Sequence, residues 1–204
     1  NLYSIRTQKM FTMVKDLLHV NNDSDFNKLF SRIEKYESIS NSMELEIANY
    51  LNKVSEGRLS AESKNEIRSM LREVTEIESI GDGCFNIARA IYRRKAASVD
   101  FTESQYANIE EMFALLTESL DSMQKVLEKH ENQKHYVSKV FNLENEINNR
   151  RDQLKYKNLS DIDNKEYSYE LGVIYMDIIG DCEKLADYVV NVVEANSDQK
   201  EKKV

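Results

Sequence analysis

The chain has 204 residues, of which 41% are hydrophobic and 31% charged, with only 5 glycines and neither proline nor tryptophan. Turn-rich all-β and α/β folds are punctuated by proline and glycine, so this composition excludes them and favours long amphipathic helices; the apolar share is too high for a disordered chain. Lys and Arg number 28 against 36 Asp and Glu, and a net charge of −8 argues against nucleic acid as the partner.

Apolar residues recur every three or four positions nearly throughout, which is the helical signature. A first helix is predicted over 2–20, closed by Asn22-Asp23-Ser24-Asp25, and a second over 25–56, with Gly57 as its C-terminal cap. Ser60 caps a third over 61–97, whose apolar stripe includes Ile67, Val74, Ile77, Ile80, Cys84, Ile87 and Ile91. Thr102 and Gln105 make a capping box for a fourth over 103–130. Polar residues from His130 to Lys134 lead into a fifth over 135–157, and Ser160-Asp161-Ile162-Asp163 opens a sixth over 163–196. Residues from Asn196 to Val204 read as a polar, frayed tail.

No apolar run reaches the roughly 18–20 residues that span a bilayer, so no transmembrane segment is expected within this chain. There is no signal-peptide core and no initiator Met, which suits a cytosolic piece of something longer. Cys84 and Cys182 lie in apolar stripes and read as core residues of a reducing compartment. Catalysis is not expected. No Glu-x-x-His pair, phosphate loop, nucleophile elbow or zinc spacing occurs, and His19, His130 and His135 fall near helix ends. Tyr92-Arg93-Arg94-Lys95 closes the third helix, where cations offset the negative end of the helix dipole or meet a membrane surface.

Internal repetition organises the chain. Glu44-Leu45-Glu46-Ile47 returns as Glu144-Asn145-Glu146-Ile147 and Leu59-Ser60 as Leu159-Ser160, both at an offset of 100; Glu78 to Asp82 returns as Asp177 to Asp181 at 99. Two three-helix units follow, over 1–98 and 102–197, with 198–204 as the polar tail. In both motifs a helical glycine, Gly81 or Gly180, sits between two carboxylates spaced i, i+4. Mid-helix glycine costs about 1 kcal/mol against alanine, and paired like charges one turn apart repel, so the pattern asks for a close helix approach and a cation. A solvated acidic edge beside a small-residue helix contact accounts for either motif taken alone.

Ile77-Glu78-Ser79-Ile80-Gly81-Asp82 and the segment from Met176 to Asp181 resemble the Glu-Arg-Ile-Gly-Asp motif of the PhoU family of phosphate-uptake regulators. The stretches from Glu44 to Gly57 and from Met70 to Arg89 look closest to the cytosolic PhoU-like domain that ends sodium/phosphate cotransporters. The resemblance implies an all-α fold, a tandem repeat of two three-helix bundles, and a regulatory role at the inner face of the membrane. Its partner would be a membrane transporter, in cis, or in trans as a free-standing regulator of an ABC transporter and sensor kinase; self-association into a homo-oligomer is compatible with either, and a metal-free helical adaptor is the remaining alternative. Family members hold metal clusters on such motifs. Carried over, Glu44, Glu78 and Asp82 in the first repeat, and Glu144, Asp177 and Asp181 in the second, would hold divalent or iron cations. Ser40 and Val140 stand where the family has further carboxylates, and Ser79 and Ile178 where it has arginine, which reduces the expectation to a cation completed by water.

Overall fold

The structure, a computed structural model, describes residues 2–129 and 131–201, with side chains through 197; His130 and the end of the expected tail lie outside the described residues. Six helices follow in order: α1 (Leu2–His19), α2 (Asp23–Ser55), α3 (Ala61–Ala96), α4 (Glu103–Leu127), α5 (Gln133–Asp163) and α6 (Tyr169–Glu201). The starts follow local chemistry. Asn22 accepts from Asp25 N and Ser60 from Ser63 N, while Thr102 and Gln105 form both halves of their capping box.

Three expectations are corrected. Gly57 does not end α2 in the left-handed region; the non-glycine residues Ser98, Lys129 and Lys165 (φ 54°, 57° and 61°) occupy it, just beyond α3, α4 and α5. Ser160 to Asp163 do not open α6 but form the last turn of α5, where Lys157 pairs with Asp161 at 2.8 Å. The N-terminal turn of α6 is held by Ser168, whose Oγ accepts from Leu171 N at 3.2 Å. Finally, α6 continues to Glu201, past the expected start of the tail.

α1 packs on α2 and α3, and α4 on α5 and α6, so each repeat is a three-helix bundle. The most extensive helix pair is α3 with α6, one from each repeat. They run antiparallel, as the pairs Arg72–Glu194 (3.1 Å) and Arg93–Asp177 (2.6 Å) at opposite ends of the seam require. One apolar core is continuous through both repeats, with Ile80, Cys84, Ile87, Leu185, Val189 and Val192 fully buried along the seam. Both thiols are free, and burial pushes both upward from the usual thiol range. At the junction Arg94 is buried, paired with Asp100 at 3.1 Å, bonded to the Tyr106 hydroxyl and lying over the Phe101 ring. Lys95 reaches Asp23 at 2.7 Å, so all three cations closing α3 are engaged within the chain.

α2 buries Phe26, Ile33 and Ser40 and nothing beyond; the α2–α3 hairpin exposes Leu45, Tyr50 and Met70, and the α5–α6 hairpin exposes Tyr156, Leu159 and Tyr169. Among the described residues no helix is long and apolar enough to cross a membrane.

Candidate functional site

Glu78 and Asp82 lie one turn apart on α3. Between them, Gly81 brings α2 in close: a Cβ at this position would stand 3.2 Å from Ser40 Oγ and 3.9 Å from Thr7 Cγ2. On the α1 side, Tyr3 donates its hydroxyl proton to Ser40 O at 3.1 Å. Glu44, on α2, accepts from Thr75 Oγ1 at 3.2 Å. Three helices therefore deliver Tyr3, Glu37, Glu44, Glu78 and Asp82 to one locality. Among the described residues, no ion pair involves Glu44, Glu78 or Asp82. Burial, then the neighbouring Asp82, Glu44 and Glu37, push the Glu78 carboxyl up to about 7. Burial pushes Tyr3 up to about 12, with Glu78, Glu44 and Asp82 adding to it.

In the second repeat the expected set does not assemble. Asp177 binds Arg93 of α3 at 2.6 Å, and Asp181 binds Lys184 at 3.2 Å. A Cβ at Gly180 would meet nothing within 4 Å, so the close-approach reason found at Gly81 is absent there. Alanine at this position recovers helix propensity without a clash. Gly180→Ala is expected to stabilise the chain by about 0.5–1 kcal/mol; a loss in urea unfolding would refute that account. Glu144 accepts from Asn148, its neighbour one turn on. The α5–α6 register is set by Arg151 meeting Glu183 at 3.5 Å and by Asn158 and Ile162 against Gly172. Asp177 and Asp181 fall between those contacts, away from the level of Glu144.

Burial identifies the true counterpart. At an offset of 105, Ile77, Ile80, Cys84, Ile87, Ala88 and Ala90 correspond to Cys182, Leu185, Val189, Val192, Val193 and Ala195, and every member of both sets is buried. At 99, buried Ile77 and Cys84 would instead match the part-exposed Met176 and Glu183. In the 105 register Glu78, Gly81, Asp82 and Asn86 correspond to Glu183, Ala186, Asp187 and Asn191. Both glutamates are half-buried and both aspartates exposed, with a small buried residue between each pair. The Ile179-Gly180-Asp181 identity masks this pair in the sequence. The Asn eight residues after the first acid was the signal that would have found it.

The second acid pair has a counter-ion. Arg151 on α5 lies 3.5 Å from Glu183 and 3.0 Å from Asp152, and it opposes the burial that raises both Glu183 and Asp187.

Sequence comparison recognises the same two units. The family profile of the PhoU domain matches residues 5–91 and again residues 109–195, spans separated by nearly the offset that burial selects. The chain belongs to the PhoU family. PhoU from Pseudomonas aeruginosa has a similar fold, with a TM-score of 0.86, 12% identity, and 98% of this chain aligned with 93% of that one. The phosphate transport system regulatory protein PhoU from Streptococcus pneumoniae follows at a TM-score of 0.76 and 18% identity, with 98% and 92% aligned. Among curated proteins none matches the sequence.

The PhoU resemblance implies metal, and the two repeats answer differently. The Glu78–Asp82 pair fits a hard cation: two adjacent carboxylates, further acids on α2, and no basic partner among the described residues. No three His, Cys, Asp or Glu side chains among those residues close into a coordination shell by themselves, so water would supply the remaining ligands. The Glu183–Asp187 pair fits a metal less well, because the Arg151 guanidinium already stands beside it and offsets part of its charge.

Proposed function

We propose that this chain is a regulator of phosphate uptake that acts from the cytoplasmic side through contact with a membrane phosphate transporter. The observation that carries this reading is the double PhoU-domain match, which covers the helices bearing both acid pairs. The pneumococcal relative is a phosphate transport system regulatory protein, which favours a regulator of a transport system over the tail of a sodium/phosphate cotransporter. Reading the frame upstream of Asn1 separates the two: several apolar segments of about 20 residues make it a transporter tail, and a nearby start codon makes it free-standing. A divalent or iron cation at Glu78 and Asp82 would neutralise these acids and fix α3 against α2. We assign the transporter contact to the far half of the α2–α3 hairpin, where Leu45, Tyr50 and Met70 face solvent.

The test is phosphate uptake at high external phosphate in cells lacking this chain. Deletion is expected to change the uptake rate, and the wild-type chain to restore it. Leu45→Glu with Tyr50→Glu is expected to fold with an unchanged melting temperature and fail to restore it. Uptake unaffected by the deletion would overturn the regulatory reading.

A further inference from the structure

The two acid pairs share spacing, burial and the small residue between their acids, yet face different neighbours. On the facing helix the first pair meets Glu37, Ser40 and Glu44, none of which carries positive charge. The second meets Arg151, whose side chain is 31% exposed and stands 3.5 Å from a Glu183 carboxylate that is itself 18% exposed. A guanidinium is always charged and offers several donors in a plane, so it suits a half-buried carboxylate pair as a permanent counter-ion. Asp152, 3.0 Å from Arg151 Nε on the same helix, is a second carboxylate partner of the guanidinium.

We propose that the Arg151 guanidinium takes the place of a metal cation in the second repeat, pairing with Glu183, offsetting one of the two charges of the Glu183–Asp187 pair and tying α5 to α6, so that only the first repeat is open to a cation. The chain is then functionally asymmetric despite its internal symmetry. One bundle is closed by a built-in cation and insensitive to metal supply, while the other depends on what the solution offers. This inference rests on the proposed metal reading for its account of the first repeat.

The test is Mn²⁺ titration of the metal-stripped full chain, with bound metal counted by elemental analysis and melting followed with and without Mn²⁺. Glu183→Gln with Asp187→Asn is expected to leave the wild-type Mn²⁺ content unchanged. Arg151→Met is expected to melt lower than wild type without metal and to bind about one Mn²⁺ more. Loss of Mn²⁺ from the Glu183→Gln/Asp187→Asn variant, or no added Mn²⁺ in Arg151→Met, would overturn the proposal. If Arg151→Met does not fold, the triple variant that also carries Glu183→Gln and Asp187→Asn is expected to fold, because the charge leaves together with the two carboxylates it faces on α6. Failure of that variant as well would show that Arg151 serves the fold in another way and would sink the proposal. Glu78→Gln with Asp82→Asn tests the first-repeat metal reading separately, so either idea can fail alone.

Discussion

Replacing Leu185 by alanine is expected to cost about 3–5 kcal/mol of unfolding free energy, the upper part of the range for buried Leu→Ala. Leu185 is fully buried on α6, and its Cγ stands 3.0 Å from where a Cβ would sit on Gly83 of α3. Glycine on the facing helix leaves no side chain to fill the space, so a cavity persists. Gly83→Ala alone sets overpacking of about 1–3 kcal/mol against roughly 1 kcal/mol gained in helix propensity, a net loss. In the Leu185→Ala background the same Gly83→Ala change should reverse sign and stabilise, because the added methyl enters the cavity. The four proteins form a double-mutant cycle read by urea unfolding. The prediction also concerns cooperativity: α3 belongs to the first repeat and α6 to the second, so one seam residue should lower a single common transition. Two transitions, of which only one moves, would mean that the repeats fold independently.

The helices were legible because their apolar faces are continuous. Ile67 to Ile91 and Leu171 to Val193 keep a helical period without interruption, and Thr102 with Gln105 closes its capping box as written. Ser160 misled because a serine followed by acids signals a helix start only where the preceding turn is free to unwind. Here Lys157 and Tyr167 hold Asp161 within α5. Repeat register was the deeper difficulty. A three-residue identity at Ile179-Gly180-Asp181 outweighs a pattern of side-chain size, although Ala186 is a small buried residue beside Leu185 as Gly81 is beside Ile80. The role of Arg151 had no sequence signal, since it lies on another helix and its spacing from Glu183 is set only by how α5 docks on α6.

Glu78→Gln is expected to flatten much of the pH dependence of stability between pH 5 and 8. In the folded chain the Glu78 carboxyl is raised from its ordinary 4.5 to about 7, first by burial and then by Asp82, Glu44 and Glu37. A raised carboxyl binds its proton more tightly when folded, so its stabilising contribution is complete below about pH 4.5 and is lost as pH rises through about 7. The full displacement corresponds to about 3.4 kcal/mol, and because Glu78 is only part-buried, solvent screening reduces the expected effect to about 1–2 kcal/mol. At pH 8 the Gln variant should therefore be more stable than wild type by about that amount, and at pH 5 nearly equal to it. Glu73, Asp181, Glu183 and Asp187 are displaced in the same direction, so a shallower slope of the same sign should remain. Unfolding by urea at pH 5, 6.5 and 8 measures this directly. A cation enters the same balance. Mn²⁺ at pH 8 should stabilise wild type, by about 2.7 kcal/mol at a hundredfold excess over its dissociation constant, and leave Glu78→Gln unmoved. Equal slopes in the two proteins would mean that the pair is already neutralised by something other than a proton, and equal response to Mn²⁺ would place the cation elsewhere.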